Sequence, residues 1–188
     1  MPATLILVTG QIASGKTSLA KALADKLNIA LVSKDGLKEI LFDTVGVGDR
    51  EWSKKLGRAT FSLLDHIVEA QLKAGNSIIL ESPLNPDFEN KKFQDWQKKY
   101  GFKAVQIICQ ADERTLFERF KARALDSERH AGHQDAENLE EFEKILAAPL
   151  GEQRISIDST IITVDTNDFE KVDYDTISEE VSTIAKSN

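Results

Sequence analysis

Residues 10–17 read Gly10-Gln11-Ile12-Ala13-Ser14-Gly15-Lys16-Thr17 and match GxxxxGK[ST] at every fixed position. The apolar run Leu5-Ile6-Leu7-Val8 before them reads as a buried strand, and a helical pattern follows from Ser18 to about Leu27. Strand, glycine turn and helix together make a phosphate-binding loop. Its glycines let the backbone curl so that successive N–H groups aim at phosphate oxygens. Lys16 adds a mobile positive charge, and Thr17 supplies a hydroxyl for Mg²⁺. The helix that Ser18 enters turns its positive end toward the same anion. The contact set for a nucleoside triphosphate is therefore Gly10 through Ser18; an accidental glycine turn would need neither the strand nor the helix.

Outward from this loop, short apolar runs alternate with longer helical patterns. The strands expected are Thr4–Val8, Ala30–Ser33, Ser77–Glu81, Ala104–Cys109 and Thr160–Asp165, with helices at about 16–27, 36–43, 50–74, 87–100, 112–126, 137–147 and 174–186. Such alternation gives an α/β fold with a parallel sheet covered on both faces. The first, third and fourth runs are nearly continuous in Val, Ile and Leu, as strands buried on both faces require, whereas the short Leu31-Val32 belongs nearer an edge. At 188 residues, 41% hydrophobic and 29% charged, the chain is expected to form one domain, with no internal linker or repeat.

Composition excludes several functions. The single Cys109 allows no internal disulfide and reads as a small buried apolar residue, which fits a reducing cytoplasm. No run approaches a membrane span, and the amino terminus lacks the pattern of a secretory signal. A net charge of −7 argues against tight binding of long nucleic acids, while a local basic pocket could still take a short anionic substrate.

Asp35 directly follows the second strand and so lies on the rim where open parallel sheets collect ligands. There it could accept a hydroxyl proton as that oxygen attacks the γ-phosphate, or merely cap the next helix. Glu81 ends Ile78-Ile79-Leu80 and resembles the acid that orders Mg²⁺ in phosphate-loop enzymes, although a strand-ending acid can also just begin a loop. Arg119 and Arg123 share one helical face without an acid at helical spacing from Arg119, so they suit a phosphate clamp as well as a solvated surface. Residues 125–134 break the helical pattern and suggest a lid spanning about 119–135. Arg129, His130 and His133 read as lid groups for phosphate or substrate rather than zinc ligands, and His66 as ordinary helix packing.

These elements resemble those of a P-loop kinase, in particular the small bacterial predicted-kinase family related to chloramphenicol phosphotransferase, zeta toxin and the kinase domain of polynucleotide kinase. The resemblance rests on residues 10–17, Ser33-Lys34-Asp35 with Leu37 to Asp43, Gly48 to Ser53, Glu81-Ser82, and Arg129 to His133. It implies a three-layer fold with a five-stranded parallel sheet in the order 2-3-1-4-5, Asp35 as acceptor base, Arg119 and Arg123 in a lid, and an adenine-contacting loop at Asp165-Thr166-Asn167.

The expectation is an ATP- and Mg²⁺-dependent kinase acting on a small-molecule hydroxyl. Lys16, Asp35, Arg119 and Arg123 would be catalytic, Arg119 and Thr166 would also contact the nucleotide, and Thr17 and Glu81 would hold the metal. Acceptor selection falls to Asp35, Lys38, Arg50, Arg58, Arg129 and His130, with Trp52 and Lys54 nearby. Two alternatives stay open: a polynucleotide 5′-hydroxyl kinase, which requires a basic groove, and a nucleotide-dependent switch that transfers to no acceptor. The absence of an Asn-Lys-x-Asp element favours adenine over guanine.

Overall fold

The computed structural model describes residues 2–127, 129–136, 139–140, 143–144 and 153–187. Five strands, β1 (Thr4–Gly10), β2 (Ala30–Ser33), β3 (Ile78–Glu81), β4 (Lys103–Gln110) and β5 (Thr160–Asp165), form one parallel sheet in the order β2-β3-β1-β4-β5. Around it lie α1 (Lys16–Leu27), α2 (Lys34–Val45), α3 (Arg50–Lys73), α4 (Pro86–Tyr100), α5 (Glu113–Ala124) and α6 (Tyr174–Lys186). The short β2 is an edge strand, as its brief apolar run requires. Most of the helix expected at 137–147 lies outside the described residues.

Alternation along β1 divides the core into two layers. Leu5 and Leu7 face Leu64, Val68 and Leu72 of α3 with Phe93 of α4, whereas Ile6 and Val8 face Leu19 and Leu23 of α1 with Val181 of α6. Each fully buried Leu or Ile contributes about 1.5–3 kcal/mol. The register Leu5↔Ile78, Leu7↔Leu80 and Val8↔Glu81 between β1 and β3 brings Glu81 level with the end of β1, where the phosphate loop begins. Ser77, expected inside β3, lies just outside it, and its hydroxyl accepts from the Thr4 N–H at 2.9 Å. His66 is exposed on α3 instead of packed.

Helix starts decide where the functional side chains point. Ser33, Asp49, Asn85, Asp112 and Asp173 cap α2, α3, α4, α5 and α6 with side-chain oxygens. Helix α1 has Gly15 at this position and no side-chain cap. Its first N–H groups are thus left for a ligand. Helix α2 begins at Lys34, two residues earlier than its sequence pattern suggests, because Ser33 Oγ accepts from Gly36 N at 3.1 Å.

Candidate active site

The phosphate loop turns through backbone that few side chains tolerate. Gly15 has φ +82°, and a Cβ there would fall 2.2 Å from the Phe169 ring. Ala13, also left-handed at φ 61°, lines the same cleft. Lys16 Nζ donates to the Gln11 carbonyl at 3.2 Å, folding back along the loop between Gly10 and Ile12. Burial pushes the Lys16 pKa down, against the pull of Glu81 and Asp35. Ser14 Oγ is buried without a hydrogen-bond partner among the described residues.

Beside the loop, the Thr17 hydroxyl lies close enough to the Glu81 carboxylate to pull its pKa down. Glu81 is 2% exposed, and burial raises its pKa despite the nearby Lys16 ammonium. Its Oε2 has no hydrogen-bond partner among the described residues. A buried, half-satisfied carboxylate next to a threonine hydroxyl at a phosphate loop is the donor chemistry Mg²⁺ takes. The residues fit the ion.

With Ser33 capping α2, Asp35 is not needed as a cap. Its carboxylate lies 3.3 Å from Lys34 Nζ and 3.4 Å from Arg129 Nη2. Burial alone would raise its pKa, but Lys34, His133, Arg129 and Lys16 together hold it well below the usual carboxylate range. Asp35 is therefore ionised at neutral pH.

The segment after α5 is clasped to α2. Arg129 Nε donates to Asp135 Oδ2 at 2.9 Å and Nη1 reaches Glu39 Oε1 at 3.5 Å. His133 Nε2 meets Glu39 Oε1 at 2.7 Å, and His130 Nε2 meets Asp43 Oδ1 at 3.1 Å. The Phe42 ring stacks on His130 at 5.3 Å, and a Cβ on Gly132 would fall 2.4 Å from that ring. Asp35, Glu39 and Asp43, one turn apart on α2, thus face Arg129, His133 and His130. Burial lowers the His133 pKa.

The two arginines of α5 have different surroundings. Arg119 Nη2 donates to the Asn167 carbonyl at 3.0 Å, and its guanidinium stacks 3.7 Å from the Phe169 ring. Arg123 does have an acidic neighbour, though not on its own helix: Nη2 lies 3.1 Å from Asp135 Oδ2, an ion pair without hydrogen-bond alignment. Lys16, Thr17, Asp35, Arg119, Arg123 and Arg129 line one cleft of about 620 Å³. Ser18 lies on its wall as well.

The other expected site residues lie apart from this cleft wall. Thr166 Oγ1 is turned inward and donates to the Gln110 carbonyl at 2.9 Å, fixing the loop after β5 rather than facing the cleft. Lys38 is 7% exposed, donates to Ser53 Oγ at 2.9 Å and lies 5.1 Å over Phe42. Burial brings its pKa down to about 8, with help from Lys34 and Arg50. Arg50 opens α3 beside it, whereas Arg58 lines a separate groove with Trp52 and Lys55. Trp52 Nε1 donates to the Gly46 carbonyl at 2.9 Å, and Lys54 pairs with Glu51 at the surface. Cys109 is buried, which pushes its thiol up to about 12 and makes it an inert core residue. Phe169 and Asp135 are the site residues without a sequence signal.

A parallel sheet in this order, with the phosphate loop after its central strand, is the P-loop kinase fold. Residues 5–149 match the AAA domain family AAA_33, and the chain belongs to that family. A candidate kinase from Chloroflexus aurantiacus is 34% identical over 97% of both chains, with a TM-score of 0.85. Shikimate kinase from Bacteroides thetaiotaomicron, 19% identical over 98% of this chain and 99% of that one, shares the fold at a TM-score of 0.53. So does APS kinase from Mycobacterium tuberculosis, solved with AMPPNP and APS, at 16% identity over 99% of this chain and 98% of that one and a TM-score of 0.54. No curated protein matches the chain. Among the described residues, no helix is long and apolar enough to cross a membrane.

Proposed function

We propose that this chain is an ATP-dependent phosphotransferase that moves the γ-phosphate to a hydroxyl of a small molecule in the cytoplasm, with residues 119–135 as its lid. The observation that carries it is the juxtaposition, in one cleft, of the uncapped start of α1 with Lys16 and an ionised Asp35 released from capping by Ser33. A switch needs the phosphate loop but has no use for such a carboxylate. The resemblance to the chloramphenicol phosphotransferase and polynucleotide kinase group, and the kinase fold of the structural neighbours, support the same chemistry.

In this mechanism Gly10 to Ser18 bind the phosphates through backbone N–H groups and Lys16. Thr17 and Glu81 would hold Mg²⁺, which supplies charge neutralisation to the β- and γ-phosphates when bound. Asp35 accepts the hydroxyl proton as the new O–P bond forms and the bond to the β-phosphate oxygen breaks, leaving ADP with the electron pair. With its pKa so low, Asp35 acts mainly by orienting the hydroxyl and takes the proton late. Arg119 serves the adenosine side, where Thr166 only fixes the loop after β5 from within; Arg123 serves the transferring charge, and Lys38, Arg50, Arg129 and His130 the acceptor side. Arg58 is the weakest member of that acceptor group because it lines another groove.

The test is ADP formation from ATP and Mg²⁺ in the presence of single hydroxyl compounds: sugars, amino alcohols, nucleosides, antibiotics and 5′-hydroxyl oligonucleotides. Stimulation by a small hydroxyl compound supports the proposal. Stimulation by oligonucleotides alone selects the polynucleotide kinase, and hydrolysis insensitive to every hydroxyl compound selects the switch.

A further inference from the structure

Two guanidinium groups lining one cleft repel each other, and a phosphate clamp works only if both are held ready before the anion arrives. In this chain a single carboxylate meets that requirement. Asp135 is 6% exposed, and its Oδ2 lies 2.9 Å from Arg129 Nε and 3.1 Å from Arg123 Nη2. One oxygen therefore stands between the last turn of α5 and the segment that follows it. Arg129 continues from Asp135 to Asp35 at 3.4 Å, so the chain of contacts runs Arg123, Asp135, Arg129, Asp35.

Arg123 retains unspent capacity in this arrangement. Its Nε and Nη2 are buried and make no hydrogen bond among the described residues, although the side chain lines the cleft with Lys16 and Thr17. Asp135 thus neutralises Arg123 through Nη2 while its Nε stays without a hydrogen bond among the described residues. Arg129, in contrast, gives Asp135 a well-aligned hydrogen bond and keeps two further nitrogens on Asp35 and Glu39.

We propose that Asp135 is a positioning residue for phosphoryl transfer: it holds Arg123 and Arg129 side by side over the phosphate loop and, through Arg129, fixes the orientation of Asp35. It touches no reacting atom. The proposal rests on the phosphotransfer reading, and its test uses a probe that needs no acceptor. Supporting partners of this kind typically matter by about 10- to 100-fold, the scale known for residues that orient metal ligands.

The experiment measures affinity of the full chain for Mg²⁺–ADP alone and for Mg²⁺–ADP with aluminium fluoride, a mimic of the transferring phosphoryl group. Asp135→Asn, which keeps the shape but removes the charge, should bind ADP within about threefold of wild type and lose tenfold or more of the added affinity that aluminium fluoride confers. Asp135→Glu, which keeps the charge, should recover part of that loss. In an Arg123→Ala/Arg129→Ala background, Asp135→Asn should cause no further loss, because the groups it positions are gone. Equal aluminium fluoride affinity in wild type and Asp135→Asn overturns the proposal, as does a full additive loss in the double-arginine background. If Asp135→Asn does not fold, Asp135→Ser, which also removes the charge, decides in its place: ADP affinity near wild type with a reduced aluminium fluoride gain sustains the proposal, and an unchanged gain overturns it. Failure of the phosphotransfer reading would look different, as wild-type enzyme that transfers to no hydroxyl yet still shows the aluminium fluoride pattern.

Discussion

Lys38→Met should make the protein more stable and less able to use its acceptor. The ammonium is 7% exposed, hydrogen-bonded to Ser53 Oγ, and has no carboxylate of the described residues within ion-pair distance. A lysine brought from 10.5 to about 8 costs the folded state about 3 kcal/mol at neutral pH, at 1.36 kcal/mol per pH unit. Screening of the neighbouring Lys34 and Arg50 charges trims this to about 2 kcal/mol. Methionine matches the length of the stem and replaces the contact over Phe42 with a sulfur–aromatic one. It forfeits the Ser53 hydrogen bond, worth about 1 kcal/mol. The net gain of about 1 kcal/mol corresponds to a rise in Tm of about 2–4 °C for a chain of this size.

The pH dependence fixes the sign. Between about pH 8 and pH 10.5 the unfolded chain binds a proton that folded Lys38 has lost, so wild-type stability rises with pH across that window and the advantage of methionine shrinks. Thermal melts of both proteins at pH 7 and pH 10 provide the assay, alongside KM for the acceptor at pH 7. A Tm below wild type at pH 7, or a difference that does not change with pH, would refute the reasoning and make Lys38 a structural residue.

Three other perturbations separate the parts of the site. Lys16→Ala should slow phosphoryl transfer by about 10²-fold or more with the fold intact, the scale for one strong electrostatic donor, as read by ADP formation and circular dichroism; unchanged turnover and ATP affinity would remove the loop from the mechanism. Arg119→Ala should chiefly raise KM for ATP, because Arg119 stacks on Phe169 and binds the loop after β5, whereas Arg123→Ala should chiefly lower kcat; steady-state kinetics with the two effects reversed would exchange these roles. Because surrounding cations hold the Asp35 pKa down, its ion pairs stabilise the fold above its ordinary value of 3.8 and are lost only as the pH falls below it. Acid unfolding of Asp35→Asn should accordingly show a shallower stability loss than wild type, and parallel curves would contradict the pairing.

Much of the fold was legible because its signals are local. Continuous apolar runs marked β1, β3 and β4, and the brevity of Leu31-Val32 put β2 at an edge. The start of α2 was misread because Ser33, ending a strand, also serves as a cap, which only the backbone geometry reveals. Helical spacing could test Arg123 against its own helix but not against Asp135, which reaches it from beyond the turn after α5. Phe169 had no signal at all: its contact with Gly15 joins the two ends of the chain through the fold. His66 shows the reverse error, an apolar-looking neighbourhood whose helical phase faces outward.

Acceptor-dependent ADP formation by wild type and Asp35→Asn, at saturating ATP and Mg²⁺, is the most direct measurement of phosphoryl transfer at this site. With a hydroxyl compound that stimulates the wild type, the variant should bind ATP with nearly unchanged affinity and form acceptor-dependent ADP about 10²-fold more slowly, the scale for a positioned base. Equal rates in the two proteins would show that Asp35 is not the group that receives the acceptor hydroxyl.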